Sequence, residues 1–403
     1  MLGDTVVGDE GMYSQAQLKI LFWVSYPPLL LTCFGSATIL YIIIFKEWRK
    51  PESATSNNPQ RTYNRIMIGL STSDLTAGVG GLVFKNWTVP AESGLAYGAV
   101  GNTLTCSING FFTNFLIGSM LYTACLAVYF VLKVRFEVHE NVISKYYEPF
   151  FHAIPIVVTL TSGVVGIFLE AFNPFDELAG FCWISDYPPG CSRPHRDDLE
   201  CLRGQDSYVL AKMLASGTIA ITLLTIITCM VLIVAHVWTT EKRMQRFNHA
   251  GISIHSTKVT QETAIQALLY IGFFFLSTVG LIVIQLSPKQ ESRETASYYF
   301  PLSLVTEILS PMQGFFNAII YIRPRFRELT ADSTIPSDWA FYRNASAALS
   351  WAATRASNHV SDWTKRGRKK SFDTDEDLEQ PSSPRSLKEE SEDFPDSIES
   401  FYE

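Results

Sequence analysis

Four ionisable side chains within the long apolar stretches of this sequence are candidates for function, because a charge there is costly and is retained mostly for a function. Asp74 lies in the second stretch, Glu307 in the seventh, and His152 and Glu170 near opposite ends of the fourth. A buried acid can pair with a ligand, carry a proton or join a polar network. We expect Asp74 and Glu307 to serve a function, with a structural hydrogen bond as the alternative for each.

The seventh stretch ends in a run of residues that favours a hinge. Pro311 removes a backbone hydrogen bond and lets a helix bend, and Gly314 allows a neighbouring helix to approach closely. Asn317 and Tyr321 are four residues apart and share one helix face. This segment is where we expect a helix to bend and a polar face to rearrange.

Seven apolar stretches carry these residues, and each reaches the roughly 20 residues that cross a bilayer core. They run over Leu18–Phe45, Ile66–Phe84, Thr103–Leu132, Phe150–Phe172, Tyr208–Val237, Ala264–Leu286 and Tyr298–Ile322. The pattern predicts an all-α membrane protein, a bundle of seven transmembrane helices. An odd number places the two ends of the chain on opposite sides of the membrane, and seven helices in one chain are most typical of receptors.

Charge divides the chain into segments. The formal net charge is −7, but residues 371–403 alone carry twelve acids and two bases, so the remainder is slightly basic. Bases are more frequent after the odd-numbered stretches, which places the N-terminus outside and the tail in the cytoplasm of a plasma-membrane protein. We predict a short extracellular N-terminus (1–17), a membrane domain (18–327), an amphipathic and basic juxtamembrane segment (328–370) and a disordered acidic tail (371–403).

The cysteines fall into two groups. Cys33, Cys125 and Cys229 lie within apolar stretches, where a thiol behaves as a small hydrophobe. The other four lie on the predicted outer side, where disulfides persist, and they allow three pairings. We favour Cys106–Cys182 and Cys191–Cys201, with some free thiols as the alternative.

Three positions match modification patterns. Asn86-Trp87-Thr88 is a glycosylation triplet on the predicted outer side, although it adjoins the second stretch. Ser371 follows three basic residues and Ser383 precedes a proline, as kinase sites on a flexible tail often do. The alternative for both serines is that they are unmodified.

The basic run 365–370 beside aromatic residues suggests contact with anionic lipid.

The chain resembles a G-protein-coupled receptor over about Gln17–Arg327. The resemblance rests on the seven stretches, Cys106, Cys182-Trp183, the Leu-Ser-x-Ser-Asp run that ends at Asp74, and Gln-Gly-Phe-Phe-Asn-Ala-Ile-Ile-Tyr over 313–321. The closest branch is the cyclic-AMP-receptor-like and secretin-like group, in a form associated with algae and other protists. It implies a small extracellular ligand, a heterotrimeric G protein, and a kinase and an arrestin-like regulator on the tail.

The resemblance also implies roles for single residues. Asp74 would join a polar network with Asn317, and 317–321 has the spacing of the Asn-Pro-x-x-Tyr activation motif, with Ala in place of Pro. Pro311, Gln313 and Tyr321 would complete this switch. The ligand cavity would be lined and capped by Thr113, Asn114, Glu307 and Trp183. For Thr113 and Asn114 the alternative is helix packing.

Two motifs of the largest receptor class are absent from the sequence. The third stretch ends without an acid–Arg–Tyr triplet, and the sixth contains no Trp-x-Pro. The ionic lock of that class therefore cannot be transferred to this chain. Arg61, Arg65, Arg135 and Lys258 are candidate G-protein contacts, with ordinary positive-inside charge as the alternative.

Other function classes fit the sequence less well. The last stretch has no Lys to hold retinal, and no internal repeat indicates a transporter. The seven His residues are scattered, and no nucleotide-binding loop or basic stripe is present. We expect no enzymatic activity, no cofactor, no metal and no nucleic-acid partner. A seven-helix transporter or channel that does not couple to a G protein remains the alternative.

Overall fold

The computed structural model describes residues 13–47, 61–175, 180–192, 200–247, 255–286 and 293–331. Ser371 and Ser383, the basic run 365–370 and the whole acidic tail lie outside these residues, so the structure does not address the predictions made for them. Within the described residues the chain is mostly helical, with one two-stranded antiparallel sheet.

Each of the seven apolar stretches forms helix. The principal helices are α1 (Gln15–Tyr41), α2 (Arg61–Thr76), α3 (Thr103–Thr113), α4 (Phe115–Val134), α5 (Glu148–Phe168), α6 (Gly217–Phe247), α7 (His255–Leu286), α8 (Arg293–Leu309) and α9 (Gln313–Ala331). Helices α3 and α4 form the third stretch, and α8 and α9 form the seventh. Short π-helical segments extend α1 over Ile42–Glu47 and α2 over Ala77–Leu82, and precede α5 and α6.

Five helical runs within the described residues are long and apolar enough to cross a bilayer. They are Gln15–Phe45, Thr103–Val134, Glu140–Phe168, Gly217–Thr240 and Thr263–Ile284. The second stretch falls outside this set, and its helix α2 carries Arg61, Arg65 and Asp74. The seventh also falls outside it, and a 3₁₀ turn at Ser310–Met312 separates α8 from α9.

Local sequence fixes where the first and third stretches enter the bundle. Ser14 caps α1: its Oγ accepts from the Gln17 backbone N at 3.3 Å, and the Gln17 side chain accepts from the Ser14 backbone N at 2.9 Å. Asn102 and Thr105 form the same reciprocal cap on α3, at 3.0 and 2.8 Å. Such caps satisfy backbone donors that a helix leaves unpaired at its start.

Both predicted disulfides are confirmed. Cys106–Cys182 joins the start of α3 to strand β2 (Cys182–Ile184), which pairs antiparallel with β1 (Phe172–Pro174). Cys191–Cys201 closes the loop that follows. We call this part of the bundle the disulfide end, and the part around Arg65, Glu140 and Glu148 the opposite end.

Candidate functional site

A cavity of about 110 Å³ lies between the helices beneath the β1–β2 hairpin. Most of its wall is aliphatic or aromatic, with a few hydroxyl groups and two charged side chains. The lining residues are Ser25, Leu29, Leu82, Lys85, Leu116, Ile117, Met120, Phe175, Phe181, Trp183, Thr218, Ile219, Leu281, Ile284, Thr306, Glu307, Ser310 and Pro311. Six of the seven helical stretches contribute residues to the wall of the cavity. A ligand bound here would therefore contact most helices of the bundle at once.

The two charged residues of the cavity form an ion pair. Lys85 Nζ lies 2.8 Å from Glu307 Oε2, and the two side chains are 4% and 7% exposed. Removing one partner of a buried pair typically costs about 3–5 kcal/mol, because the other charge is left uncompensated. The sequence singled out Glu307 but not Lys85, because Lys85 lies one residue beyond the second apolar stretch.

The structure separates the four residues expected to hold a ligand. Trp183 and Glu307 line the cavity, whereas Thr113 and Asn114 are absent from its wall. Asn114 Nδ2 instead donates to the Thr159 carbonyl at 3.0 Å and to Ser162 Oγ at 2.8 Å on α5. Thr113 is fully buried against Gly81, next to α2. Both residues therefore pack helices together, which was the alternative interpretation of them.

A polar network crosses the middle of the bundle around Asp74. Ser119 Oγ of α4 donates to Asp74 Oδ1, and Asn317 Nδ2 of α9 lies 3.4 Å from Asp74 Oδ2. Gln313 Nε2 donates to Thr123 Oγ1 at 3.1 Å and to Ser119 Oγ at 3.4 Å. We call these five residues the Asp74 network. It links α2, α4 and α9, and nothing in the sequence indicated that Ser119 and Thr123 belong to it.

The seventh stretch takes part in both the cavity and the network. Its residues up to Pro311 line the cavity, and Gln313 and Asn317 begin the network directly afterwards. The helix changes from α to 3₁₀ at Ser310–Met312 and back again, and the Pro311 carbonyl accepts from Thr32 Oγ1 of α1. A shift of Glu307 would therefore reach Asn317 along one helical rod.

Tyrosines tie α7 to α2 at the opposite end. Tyr63 and Tyr270 hydrogen-bond through their hydroxyl groups at 2.8 Å, and Gln266 Nε2 donates to the Tyr63 hydroxyl at 2.9 Å. We call Tyr63, Gln266 and Tyr270 the tyrosine latch. Beside it, Tyr321 stacks on Tyr63 with 5.8 Å between ring centroids and donates to Asn64 Oδ1 at 3.1 Å.

Ion pairs join α2, α4 and α5 close to the latch. Arg65 binds Glu148 through two nitrogens and donates to Ser144 Oγ at 2.8 Å. Lys133 lies 3.1 Å from Glu140 Oε2, and Glu140 Oε1 accepts from the Thr62 backbone N at 2.9 Å. Arg65 is thus engaged within the bundle.

The other basic residues predicted to contact a G protein differ in their surroundings. Arg61 is exposed, and exposed Arg135 lies over the Phe136 ring at 5.7 Å. Lys258 belongs to the first turn of α7, and its side chain lies outside the described part of the structure.

The glycosylation expected at Asn86 is not compatible with this structure. Asn86 is 1% exposed, its Nδ2 donates to the Tyr97 carbonyl at 3.2 Å, and Gly180 packs against its amide. The amide nitrogen that a sugar would modify is therefore inaccessible.

The structure also describes Glu170 and His152, the other two ionisable residues singled out from the sequence. Glu170 is largely exposed, and His152 lies 3.2 Å from the Tyr122 hydroxyl.

Comparisons with known proteins identify the fold and nothing finer. No family model and no curated protein matches the sequence. Among solved structures, the fold is similar to that of squid rhodopsin, with a TM-score of 0.52 and 15% sequence identity. The match covers 81% of this chain and 83% of the rhodopsin chain. The chain therefore has a helical-bundle fold similar to that of squid rhodopsin.

Proposed function

We propose that this protein is a membrane receptor that converts binding of a small ligand into activation of a heterotrimeric G protein. One observation carries the proposal: a single helical rod, α8 to α9, lines the cavity with Glu307 and joins the Asp74 network through Gln313 and Asn317. A ligand in the cavity and a partner at the opposite end would thus act on the same rod.

Coupling requires the ligand to bind one packing of the bundle better than another. In the described packing, the tyrosine latch holds α7 against α2, and we take this packing as the closed state of the opposite end. A ligand that moves Glu307 and Pro311 would displace Asn317 and weaken its bond to Asp74. Because the Tyr270 hydroxyl lies 3.5 Å from the Asn317 carbonyl, a displacement of Asn317 would also disturb the tyrosine latch.

The orientation belongs to the proposal as well. We place the disulfide end outside the plasma membrane, since disulfides persist in oxidising surroundings, and we place the basic opposite end inside. All seven helical stretches would then cross the bilayer. Exposed Arg61 and Arg135, together with Lys258, would contact the G protein, while Arg65 would hold the α2–α5 contact that the G protein must meet.

Two finer assignments rest on the sequence resemblance. We infer that the receptor belongs to the cyclic-AMP-receptor-like and secretin-like branch, on the strength of its Gln-Gly-Phe-Phe-Asn run. We also infer that phosphorylation of Ser371 and Ser383 recruits an arrestin-like regulator and ends signalling. The chain would have no enzymatic activity of its own.

The proposal is tested by measuring nucleotide exchange on several heterotrimeric G proteins with purified protein in lipid nanodiscs. A panel of small neutral, cationic and anionic metabolites would be added in turn. We expect at least one metabolite to accelerate exchange, with no effect in empty nanodiscs. Ion flux or metabolite uptake by the same protein in liposomes, without any exchange, would instead support the transporter or channel alternative.

A further inference from the structure

The cavity is electrically balanced before any ligand arrives. Its lining contains one cation and one anion, Lys85 and Glu307, and they pair with each other at 2.8 Å. The hydrogen bonds of the described residues give neither charged group a second side-chain partner. The wall therefore carries no net charge. The charge of a ligand then determines how much free energy its entry costs.

A charged ligand would disturb this balance. An amine that bound Glu307 would have to displace Lys85, and a carboxylate that bound Lys85 would have to displace Glu307. In either case one buried charge would lose its partner, and an uncompensated buried charge is strongly unfavourable. A neutral ligand leaves the pair intact and therefore avoids this cost.

The unused hydrogen-bonding groups indicate what a neutral ligand should carry. A Lys ammonium has three donors, and only one donor of Lys85 is used, by Glu307. The free positions of the ammonium group are donors, so a ligand with an acceptor oxygen would satisfy them.

Size and wall chemistry set the remaining limits. The cavity volume of about 110 Å³ is similar to the volume of apolar protein cavities that hold a single benzene ring. Leu116, Ile117, Phe181 and Ile284 provide apolar surface for such a body. Apolar pockets with a few placed polar groups are typical sites for small organic ligands.

We propose that this cavity selects a neutral, largely apolar ligand, about one aromatic ring in size, that carries a hydroxyl or carbonyl oxygen. The inference rests on the proposed receptor function, since it specifies the ligand class of the same cavity. The observation behind this inference is nevertheless separate from G-protein coupling. It is the Lys85–Glu307 pair, and it does not depend on what the opposite end of the bundle binds.

The test compares three probes that share one ring and differ in the charge of the head group: benzyl alcohol, benzylamine and benzoate. Binding to the full-length protein in nanodiscs is measured directly by saturation-transfer NMR titration, with empty nanodiscs to subtract partition into lipid. We expect benzyl alcohol to bind at least about tenfold more tightly than either charged probe. No G protein is present, so failure of signalling cannot be mistaken for failure of binding.

Two single substitutions should reverse the preference in opposite directions. Lys85→Met leaves Glu307 without its cation, so benzylamine should become the preferred probe. Glu307→Gln leaves Lys85 without its anion, so benzoate should become the preferred probe. The double variant restores neutrality and should again prefer benzyl alcohol, which keeps the test valid if one single variant folds poorly. Lys133→Met, at the other ion pair with Glu140, should leave the wild-type preference unchanged.

Three results would overturn the proposal. The first is tighter binding of either charged probe to the wild-type protein. The second is that the wild-type protein binds none of the three probes. The third is an unchanged preference in every charge variant that folds, with folding checked by the thermal transition of each variant.

Discussion

Asp74 and Glu307 are both buried acids within helical stretches, yet their surroundings give them different roles. Asp74 accepts hydrogen bonds from neutral groups, Ser119 and Asn317. Glu307 pairs with the ammonium group of Lys85. Hydrogen bonds between side chains of neighbouring membrane helices average only about 0.6 kcal/mol, so helices can exchange them at low cost. Asp74 is therefore suited to switching and Glu307 to shaping the cavity.

Replacing Asp74 with Asn should raise basal nucleotide exchange several-fold while leaving the protein inserted. The amide presents one acceptor oxygen where the carboxylate presents two, so Ser119 or Asn317 loses an acceptor in the described packing. The closed packing would be destabilised by about 1 kcal/mol. Exchange assays in nanodiscs measure the change.

Ser71→Ala supplies the matched control for that substitution. Ser71 is buried on the same helix, and its hydroxyl has no hydrogen-bond partner in the described structure. Basal exchange should stay at the wild-type level in this variant. Equal exchange for Asp74→Asn and the wild-type protein would remove Asp74 from the switch.

The sequence could indicate which acids matter but not what they contact. The cost of a charge inside an apolar stretch makes Asp74 and Glu307 visible without any structure. Lys85 was not singled out because it lies one residue beyond the second apolar stretch, where a base can equally well be an exposed loop residue. Ser119 and Thr123 escaped notice because hydroxyl side chains are common within membrane helices, and only the packing shows which of them face Asp74.

Helices α1 and α9 meet through glycines. A Cβ atom added to Gly35 would lie 2.8 Å from the Gly314 carbonyl oxygen and from Phe315 Cα, both backbone atoms that cannot rotate away. A Cβ added to Gly314 would lie 2.5 Å from Ser36 Oγ. The close approach also lets Thr32 reach the carbonyl of Pro311. This contact therefore fixes the rod that joins the cavity to the Asp74 network.

The substitution Gly35→Ala should lower the thermal transition of the protein, because overpacking of a tight contact costs about 1–3 kcal/mol. Gly272→Ala is the control. Gly272 also lies within a helix, but a Cβ there would meet nothing within 4 Å, so the transition should stay the same or rise. A similar transition temperature for both variants would show that α1 and α9 are not in close contact.

The two disulfides should differ in their effect on stability. Cys106–Cys182 closes a loop with a sequence separation of 76, and Cys191–Cys201 one with a separation of 10. In the chain-entropy description the longer loop contributes about 4.5 kcal/mol and the shorter about 3 kcal/mol. Cys182→Ser should therefore reduce surface expression and ligand response more than Cys201→Ser.

Surface labelling of cells that express each variant measures this difference. Cys229→Ser, which replaces a free thiol within α6, is the control and should behave like the wild-type protein. Normal expression and response of Cys182→Ser would show that the Cys106–Cys182 bridge is dispensable.

Among the helices, the sequence was most informative where apolar runs were long and carried few charges. The first, third, fourth, fifth and sixth stretches all form helices that satisfy the length and hydropathy needed to cross a bilayer. The second and seventh carry the charged and helix-breaking residues of the candidate site, such as Asp74 and Pro311. The features that weaken a helix as a membrane segment are thus the ones that equip it for function.

Across the bundle, the account depends on communication between its two ends. The cavity lies at the disulfide end, the Asp74 network lies midway, and the tyrosine latch lies at the opposite end. Each contacts the α8–α9 rod or its neighbours. The sequence suggested the cavity and the network, but the latch could not be foreseen, because it joins residues 203 and 207 positions apart.

The most direct test requires no knowledge of the ligand. Tyr63→Phe keeps the aromatic ring but removes both hydrogen bonds of the latch. Loss of two interhelical hydrogen bonds should raise basal nucleotide exchange on a responsive G protein roughly fivefold to tenfold. Tyr26→Phe removes a tyrosine hydrogen bond to the Val83 carbonyl at the disulfide end and should leave exchange unchanged. Wild-type exchange by a folded Tyr63→Phe variant across a panel of G proteins would contradict the account.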